Sequence, residues 1–329
     1  MTTTQRTKIG VLLGTRGLVM KAQREGRPAD ADVMLDLAER TEAAGLDSVW
    51  VGDSLVSKPR LEPIAAMAAI AARTSRVRIG TGVLLPAYRN PVLLAHSLAT
   101  IDILSHGRIV IGAGVGGAFT EEQKQDWTAA GVGVEARGGR VTEIVQIMKR
   151  LWAESSVTWE GRHFQLADVT LDVRPVQPNG VPLLLATHYR TGSEAQARRA
   201  ARHADGIIGI TDTPDEFQAT SAKVSELAEA EGRDPTSLER VFYMTVNIGD
   251  DVSAARAEAE DFLMAYYKVR HWGEQWGPWG TAREVAERMA AYASAGATEV
   301  VVRFASWDQP AQWERFAREV VPKFREIAG

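Results

Sequence analysis

Four glycines crowd into six residues at Gly112, Gly114, Gly116 and Gly117, with Val115 between the second and third. They satisfy G-x-G-x-x-G, a pattern that can cradle a dinucleotide when a helix starts at its last glycine. Here Ala118-Phe119-Thr120 follows before any helical period. The alternatives are a backbone that must approach a flat ligand closely, where a Cβ would clash, and a flexible loop. A second candidate is Thr191-Gly192-Ser193, ahead of a stretch with Ala197, Ala200, Ala201 and Ala204 at helical spacing. Hydroxyls and free amides at a helix N-terminus suit a phosphate, and Ser193 equally suits a plain N-cap. Asp53 and His188 are the groups able to move protons, with a capping carboxylate and a surface-loop histidine as their bland readings. Tyr88, Tyr267, Trp272, Trp276 and Trp279 could wall an apolar pocket. The segment from Tyr266 to Trp279, which also holds His271, fits a lid that excludes water, or else a subunit interface or satellite core.

Alternating elements must position these residues. Strands are expected at Lys8–Leu13, Ser48–Val51, Val77–Val83, Arg108–Ile111, Pro182–Ala186, Gly206–Ile210, Val241–Ile248 and Glu299–Arg303. Amphipathic stretches separate them. The clearest carries Val141, Ile144, Val145, Met148, Leu151 and Trp152 with a 3.6-residue period. Capping boxes Thr213/Glu216 and Thr281/Glu284 open two helices, and the last helix starts near Pro310 and should kink at Pro322. Strand order is not written in the sequence, so an open doubly wound sheet is the alternative, but eight strand–helix units favour one closed (β/α)8 TIM barrel over residues 1–329. It would carry an insertion after strand 4 (Gly116 to Gly139), an extra hairpin within Trp159 to Leu171, and an aromatic-rich insertion before strand 8. Active sites of such barrels lie at the strands' carboxyl ends. That places Gly14-Thr15-Arg16, Asp53-Ser54, Thr187-His188 and Thr211-Asp212 at the mouth.

Composition and absences narrow the chemistry. A net charge of -4 with no basic stripe argues against a nucleic-acid partner. No apolar run approaches the length of a membrane span, the N-terminus lacks a signal-peptide pattern, and there is no cysteine. A cytoplasmic chain is expected. The six histidines are scattered, so no metal site is expected. No lysine lies at a strand's carboxyl end, Lys58 falling well into the loop after strand 2, and no G-x-S-x-G elbow occurs. What survives is a barrel that borrows its reactivity from an organic cofactor.

The order and spacing of several segments support a closer reading. They are Gly45-Leu46-Asp47-Ser48-Val49-Trp50-Val51-Gly52-Asp53, Arg78-Ile79-Gly80-Thr81-Gly82-Val83, Arg89-Asn90-Pro91, Gly107-Arg108, the Gly112–Gly117 run, Gly161-Arg162-His163-Phe164, Arg174-Pro175-Val176-Gln177-Pro178 and Arg198-Arg199-Ala200-Ala201-Arg202 with Ala204-Asp205-Gly206. With these the chain resembles the bacterial luciferase-like monooxygenase and F420-dependent oxidoreductase superfamily over nearly its whole length. The resemblance implies FMN/FMNH2 or the deazaflavin F420 at the barrel mouth, a small apolar or aromatic organic substrate, a separate flavin or F420 reductase, and a homodimer. It also implies a bulge with a non-proline cis peptide at Gly82-Val83. Asp53, Ser54, Thr81 and Thr187 would join the glycine run around the ring, and Thr191 to Ser193 would hold the phosphate. This sequence departs from the deazaflavin sugar-phosphate dehydrogenases of that group. Ser54 stands in place of a histidine and Gly117 in place of an acidic glutamate, and Arg190-Thr191 replaces the Gly-Gly common in the family, so their acid–base machinery does not carry over. A nicotinamide-dependent dehydrogenase and a flavin-binding protein without activity are the rival readings.

Overall fold

In a computed structural model describing residues 6–268, 270, 273 and 276–329, the β-branched runs form parallel strands and the periodic stretches form helices around them. The chain runs β1 (Lys8–Leu12), α1 (Gly17–Glu25), α2 (Asp32–Ala43), β2 (Ser48–Val51), α3 (Pro63–Arg73), β3 (Arg78–Leu84), α4 (Pro91–Leu104) and β4 (Ile109–Ala113). An excursion with α5 (Glu121–Ala129) follows, then α6 (Arg137–Ala153) and the antiparallel hairpin β5 (Val157–Glu160) and β6 (Gln165–Val169). The barrel resumes with β7 (Leu183–Ala186), α7 (Glu194–His203), β8 (Gly206–Ile210), α8 (Pro214–Ala230), β9 (Glu239–Ile248) and α9 (Val252–Tyr267). It ends with β10 (Trp279–Gly280), α10 (Ala282–Ser294), β11 (Glu299–Phe304), α11 (Gln309–Arg315) and α12 (Val321–Ala328).

Strands β1, β2, β3, β4, β7, β8, β9 and β11 pair in parallel, and β9 closes on both β8 and β11. The sheet is therefore the eight-stranded barrel expected from the alternation. Side chains alternate across each strand, so one set fills the barrel and the other meets the helices. The inner set includes Leu12, Trp50, Val110, Leu184, Ile208, Val241, Tyr243 and Val301. The outer set packs on the helices, where α6 buries the six residues of its expected stripe. Burying each large aliphatic side chain is worth about 1.5–3 kcal/mol, so this stripe alone fixes the helix to the wall.

Both expected capping boxes form, and a third, Thr120 with Gln123, opens α5. The expected insertion after β4, Gly116 to Gly139, has helical structure of its own. It holds α5, and α6 already begins at Arg137. The last helix passes through a π-helical turn at Phe316–Val320 immediately before Pro322, which has no N–H to continue a regular ladder. Helix α1, unread in the sequence, lacks a side-chain N-cap and packs beside α9, with Met20 among the aromatic residues there.

Candidate active site

The loop after β3 and the glycines after β4 pack closely at the carboxyl end of the barrel, and Gly82, Val83, Leu85, Tyr88 and Gly117 face a cavity there. The Gly82–Val83 peptide is cis, and the register of β3 on β4 slips between Gly82 and Leu84, where the resemblance put both features. Thr81 Oγ1 donates to the Gly112 carbonyl at 2.8 Å, tying the two strands together. A Cβ on Gly112 would overlap the Thr81 carbonyl oxygen, and one on Gly114 would stand 2.8 Å from Val83 Cγ2. Gly116 has φ +81°, and a Cβ there would meet the ring of Trp127. The glycine run is thus needed for close approach. The helix that a dinucleotide fingerprint requires at Gly117 is not there, because α5 starts at Glu121.

Asp53 sits just past β2 with its side chain 2% exposed. It accepts from the Leu85 N–H at 2.9 Å and from Arg89 Nη1 at 2.6 Å and Nη2 at 3.3 Å. Both oxygens are therefore committed to holding the loop after β3. Ser54 lies beside Asp126 of α5, whose carboxylate accepts from the N–H groups of Val56 and Ser57 and from Ser57 Oγ. The insertion after β4 thereby pins the loop after β2. Tyr88 stacks obliquely on Trp127 at 4.4 Å, and burial with nearby Asp126 and Asp53 pushes its phenol well above the usual range.

That pinned loop brings in cations which the sequence analysis did not place. Lys58, set aside there as too far into its loop, lines the mouth cavity together with Arg60, Gly82, Val83, Tyr243, Tyr266, Tyr267 and Arg303. Arg303 ends the inward-facing row Glu299, Val301, Arg303 on β11, and it is 4% exposed. Its Nη1 donates to Tyr267 Oη at 2.8 Å, while Nε and Nη2 have no partner. Its guanidinium lies 5.0–5.8 Å from the ring centres of Tyr243, Tyr266, Tyr267 and Trp276. Arg16, after β1, donates from Nε to the Tyr266 carbonyl, and its Nη1 is also unpartnered. Arg60 Nη2 donates to Tyr266 Oη at 3.1 Å. An arginine at an inward position near the end of a barrel strand was the available signal for Arg303.

The aromatic segment divides. Tyr266, Trp276 and Trp279 join Phe262, Trp307 and Met20 in a small apolar cluster beside the mouth, and Trp279 forms the short strand β10 against β9. Tyr266 and Tyr267 also reach the cavity itself. Trp272 and His271 lie outside the described residues.

His188 and Ser193 are elsewhere. With Thr187, Gly192 and Ala197 they line a separate cavity of about 340 Å³ at the start of α7, so His188 and Asp53 face different spaces. Burial lowers the His188 pKa against a hydrogen bond with the Ile210 backbone, and its Nδ1 is unpartnered. Gly192 takes a left-handed conformation, and Ser193 makes no capping bond, which leaves its hydroxyl uncommitted. Thr191 Oγ1 donates to the His188 carbonyl at 2.9 Å. Among the described residues no cluster of potential metal ligands forms, and no helix is long and apolar enough to cross a membrane.

A closed barrel with a cavity and polar loops at its carboxyl end is the frame of an enzyme that holds a flat organic cofactor. The chain belongs to the luciferase-like monooxygenase family, whose pattern matches residues 7–277. It is thereby an oxidoreductase of the class that works with F420 or FMN. An F420-dependent glucose-6-phosphate dehydrogenase of Kineococcus radiotolerans is 30% identical, over 89% of this chain and 93% of its own. One from Mycolicibacterium smegmatis is 27% identical, over 90% and 94%. Among solved structures, an F420-dependent secondary alcohol dehydrogenase in complex with an F420-acetone adduct superposes with TM-score 0.78 at 23% identity, covering 97% and 99% of the two chains. A monooxygenase from Streptomyces bottropensis gives 0.79 at 24%, covering 96% and 99%.

Proposed function

We propose that this oxidoreductase uses F420 to move hydride to or from a small organic molecule at the barrel mouth. The observation that carries the reading is the mouth cavity lined by Gly82, Val83 and Gly117, where the missing Cβ of Gly114 lets the glycine run close up behind Val83. That cavity suits the edge and face of a flat ring. The F420 dependence of curated relatives at 27–30% identity favours F420 over FMN. When bound, F420 supplies a ring that accepts or releases hydride.

The chain's own residues supply the rest. Val83 and the bulge would back the ring, with Thr81 fixing the strand pair beneath them. Asp53 holds the loop after β3 through Leu85 and Arg89, which makes it a positioning residue. Thr191, Gly192 and the uncommitted Ser193 hydroxyl at the start of α7 would hold the phosphate. Burial raises the Tyr266 phenol, but Arg60, Arg303, Arg16 and Lys58 pull harder and settle it at about 8. Tyr266 Oη is then the group at the mouth best able to give or take a proton near neutrality. The aromatic cluster beside it keeps water away. A separate reductase would recycle the cofactor, and a homodimer is the assembly expected of the family.

Spectral titration of the purified chain with F420 and with FMN, each oxidised and reduced, tests this. Selective binding of F420 with oxygen-independent turnover is expected. Selective binding of FMN would replace hydride transfer by monooxygenation, and binding of neither would overturn the assignment.

A further inference from the structure

We infer that the mouth cavity takes an anionic substrate and grips its oxyanion, a carboxylate or a phosphate, with the free edge of Arg303 flanked by Lys58 and Arg60. This deepens the proposed function, since it rests on the cavity beside Gly82 and Val83 being the substrate's side.

The argument starts from charge balance. A buried charge is costly unless paired, so cations buried together imply an anion. Arg16, Lys58, Arg60 and Arg303 converge on Tyr266 and Tyr267 through hydrogen bonds and ring contacts. The carboxylates around them are already spent. Asp53 is paired with Arg89, Asp126 is filled by the Val56 and Ser57 donors, and Glu122 is bound to Lys268. Burial works against the charge on Arg303, and three tyrosines outweigh it and hold the guanidinium charged. Burial lowers the Lys58 pKa, and Arg60, Arg16 and Arg303 lower it further against Tyr266. Four cations thus share a neighbourhood in which the nearby carboxylates are committed to other donors and the closest side-chain contacts are phenols.

Geometry then selects the ligand. Tyr267 occupies Nη1 of Arg303, so the orphaned donors are Nε and Nη2. These two N–H groups form one edge of the guanidinium and point in parallel. That fork matches two oxygens of a carboxylate or phosphate and offers little to a neutral alcohol or an alkane. Lys58 and Arg60, the latter anchored on Tyr266 Oη, add charge, and tyrosine rings line the rest of the cavity.

The test is calorimetric titration of the purified chain, with no redox cofactor added, using benzoate, phenyl phosphate and benzyl alcohol as probes. At least one anion should bind tenfold or more tightly than benzyl alcohol. Preference for benzoate would identify a carboxylate and preference for phenyl phosphate a phosphate. Arg303→Met and Lys58→Met should each weaken that binding tenfold or more. If Arg303→Met does not fold, Lys58→Met, changed at a loop position, decides alone. The inference is overturned if neither anion outbinds benzyl alcohol, or if a folded variant binds the anion as the wild type does. Because no redox cofactor is present, the outcome is independent of the F420 titration. Anion binding without F420 binding would spare this site and sink the proposed reaction, and the converse would do the opposite.

Discussion

Asp212 lies fully buried just past β8, follows a Thr211 held at φ +68°, and leaves Oδ1 without a hydrogen-bond partner. Burial pushes its carboxyl up to about 6, against the Tyr189 N–H that donates to Oδ2 at 3.2 Å, and nearby Glu216 adds to the rise. An unfolded aspartate titrates near ~3.9. Between those values the folded chain holds the proton more tightly than the unfolded one, so stability is full below pH ~4 and is lost as pH rises toward 6. Asp212→Asn cannot ionise. Thermal unfolding over this window should show the wild type losing stability relative to the variant, and parallel curves would refute the account. At this scale the sequence was legible where position along a strand decides the role. Asp53, Thr81 and Gly82 could be placed at the mouth because they end strands. Lys58 and Arg60 could not, since their approach depends on Asp126 pulling in a loop from about 70 residues away. Nor does a sequence show that Asp53 spends both oxygens on Arg89 and Leu85.

The elements were readable to the extent that each carries its own period. The eight barrel strands fall within two residues of their expected limits because each is a short buried run, and α6 because its stripe is unbroken. Helix α5 escaped notice since only Asp126 and Trp127 of its nine residues are buried, although Thr120 and Gln123 did announce its start. Helix α1 opens on Gly17 with no cap and is held by tertiary contact with α9, a form of support that local sequence does not encode. The β3–β4 pair offers the sharpest test at this scale. In Gly112→Ala the new methyl meets backbone, the Thr81 carbonyl, so the strands must part; a loss of about 1–3 kcal/mol is expected. In Gly114→Ala it meets side chains alone, closest Val83, which lines the mouth cavity and can turn into it. That variant should unfold near the wild-type temperature and bind the cofactor at least tenfold more weakly by spectral titration. Unchanged cofactor affinity in Gly114→Ala would mean that the ring does not lie against Val83.

Across the whole molecule the barrel keeps its two ends for different purposes, and β11 shows both. At the closed end Glu299 is fully buried, accepts from Ser48 Oγ and Trp50 Nε1, and has its carboxyl raised by burial. Beside it Arg78 pairs with Glu239 at 2.7 Å across the barrel floor. Two residues further along come Val301 and the apolar layer, then Arg303 at the open end with two donors unused. The lower arginine is satisfied and faces acids; the upper one is unsatisfied and faces tyrosines. Removing them should therefore have opposite consequences. Arg78→Met strands Glu239 and deepens the burial cost at Glu299, which should lower stability by about 3 kcal/mol, the low end for breaking a buried pair, since this one is partly exposed. Cofactor and benzoate binding should survive in the fraction that remains folded. Arg303→Met removes an uncompensated buried cation and puts an unbranched apolar chain among aromatic rings. Its stability should hold or rise while anion binding falls. Denaturant unfolding of both variants, paired with titrations at a temperature where each is folded, separates the two ends. If Arg303→Met loses as much stability as Arg78→Met, the arginine at the mouth is part of the scaffold, and the division of labour along β11 fails.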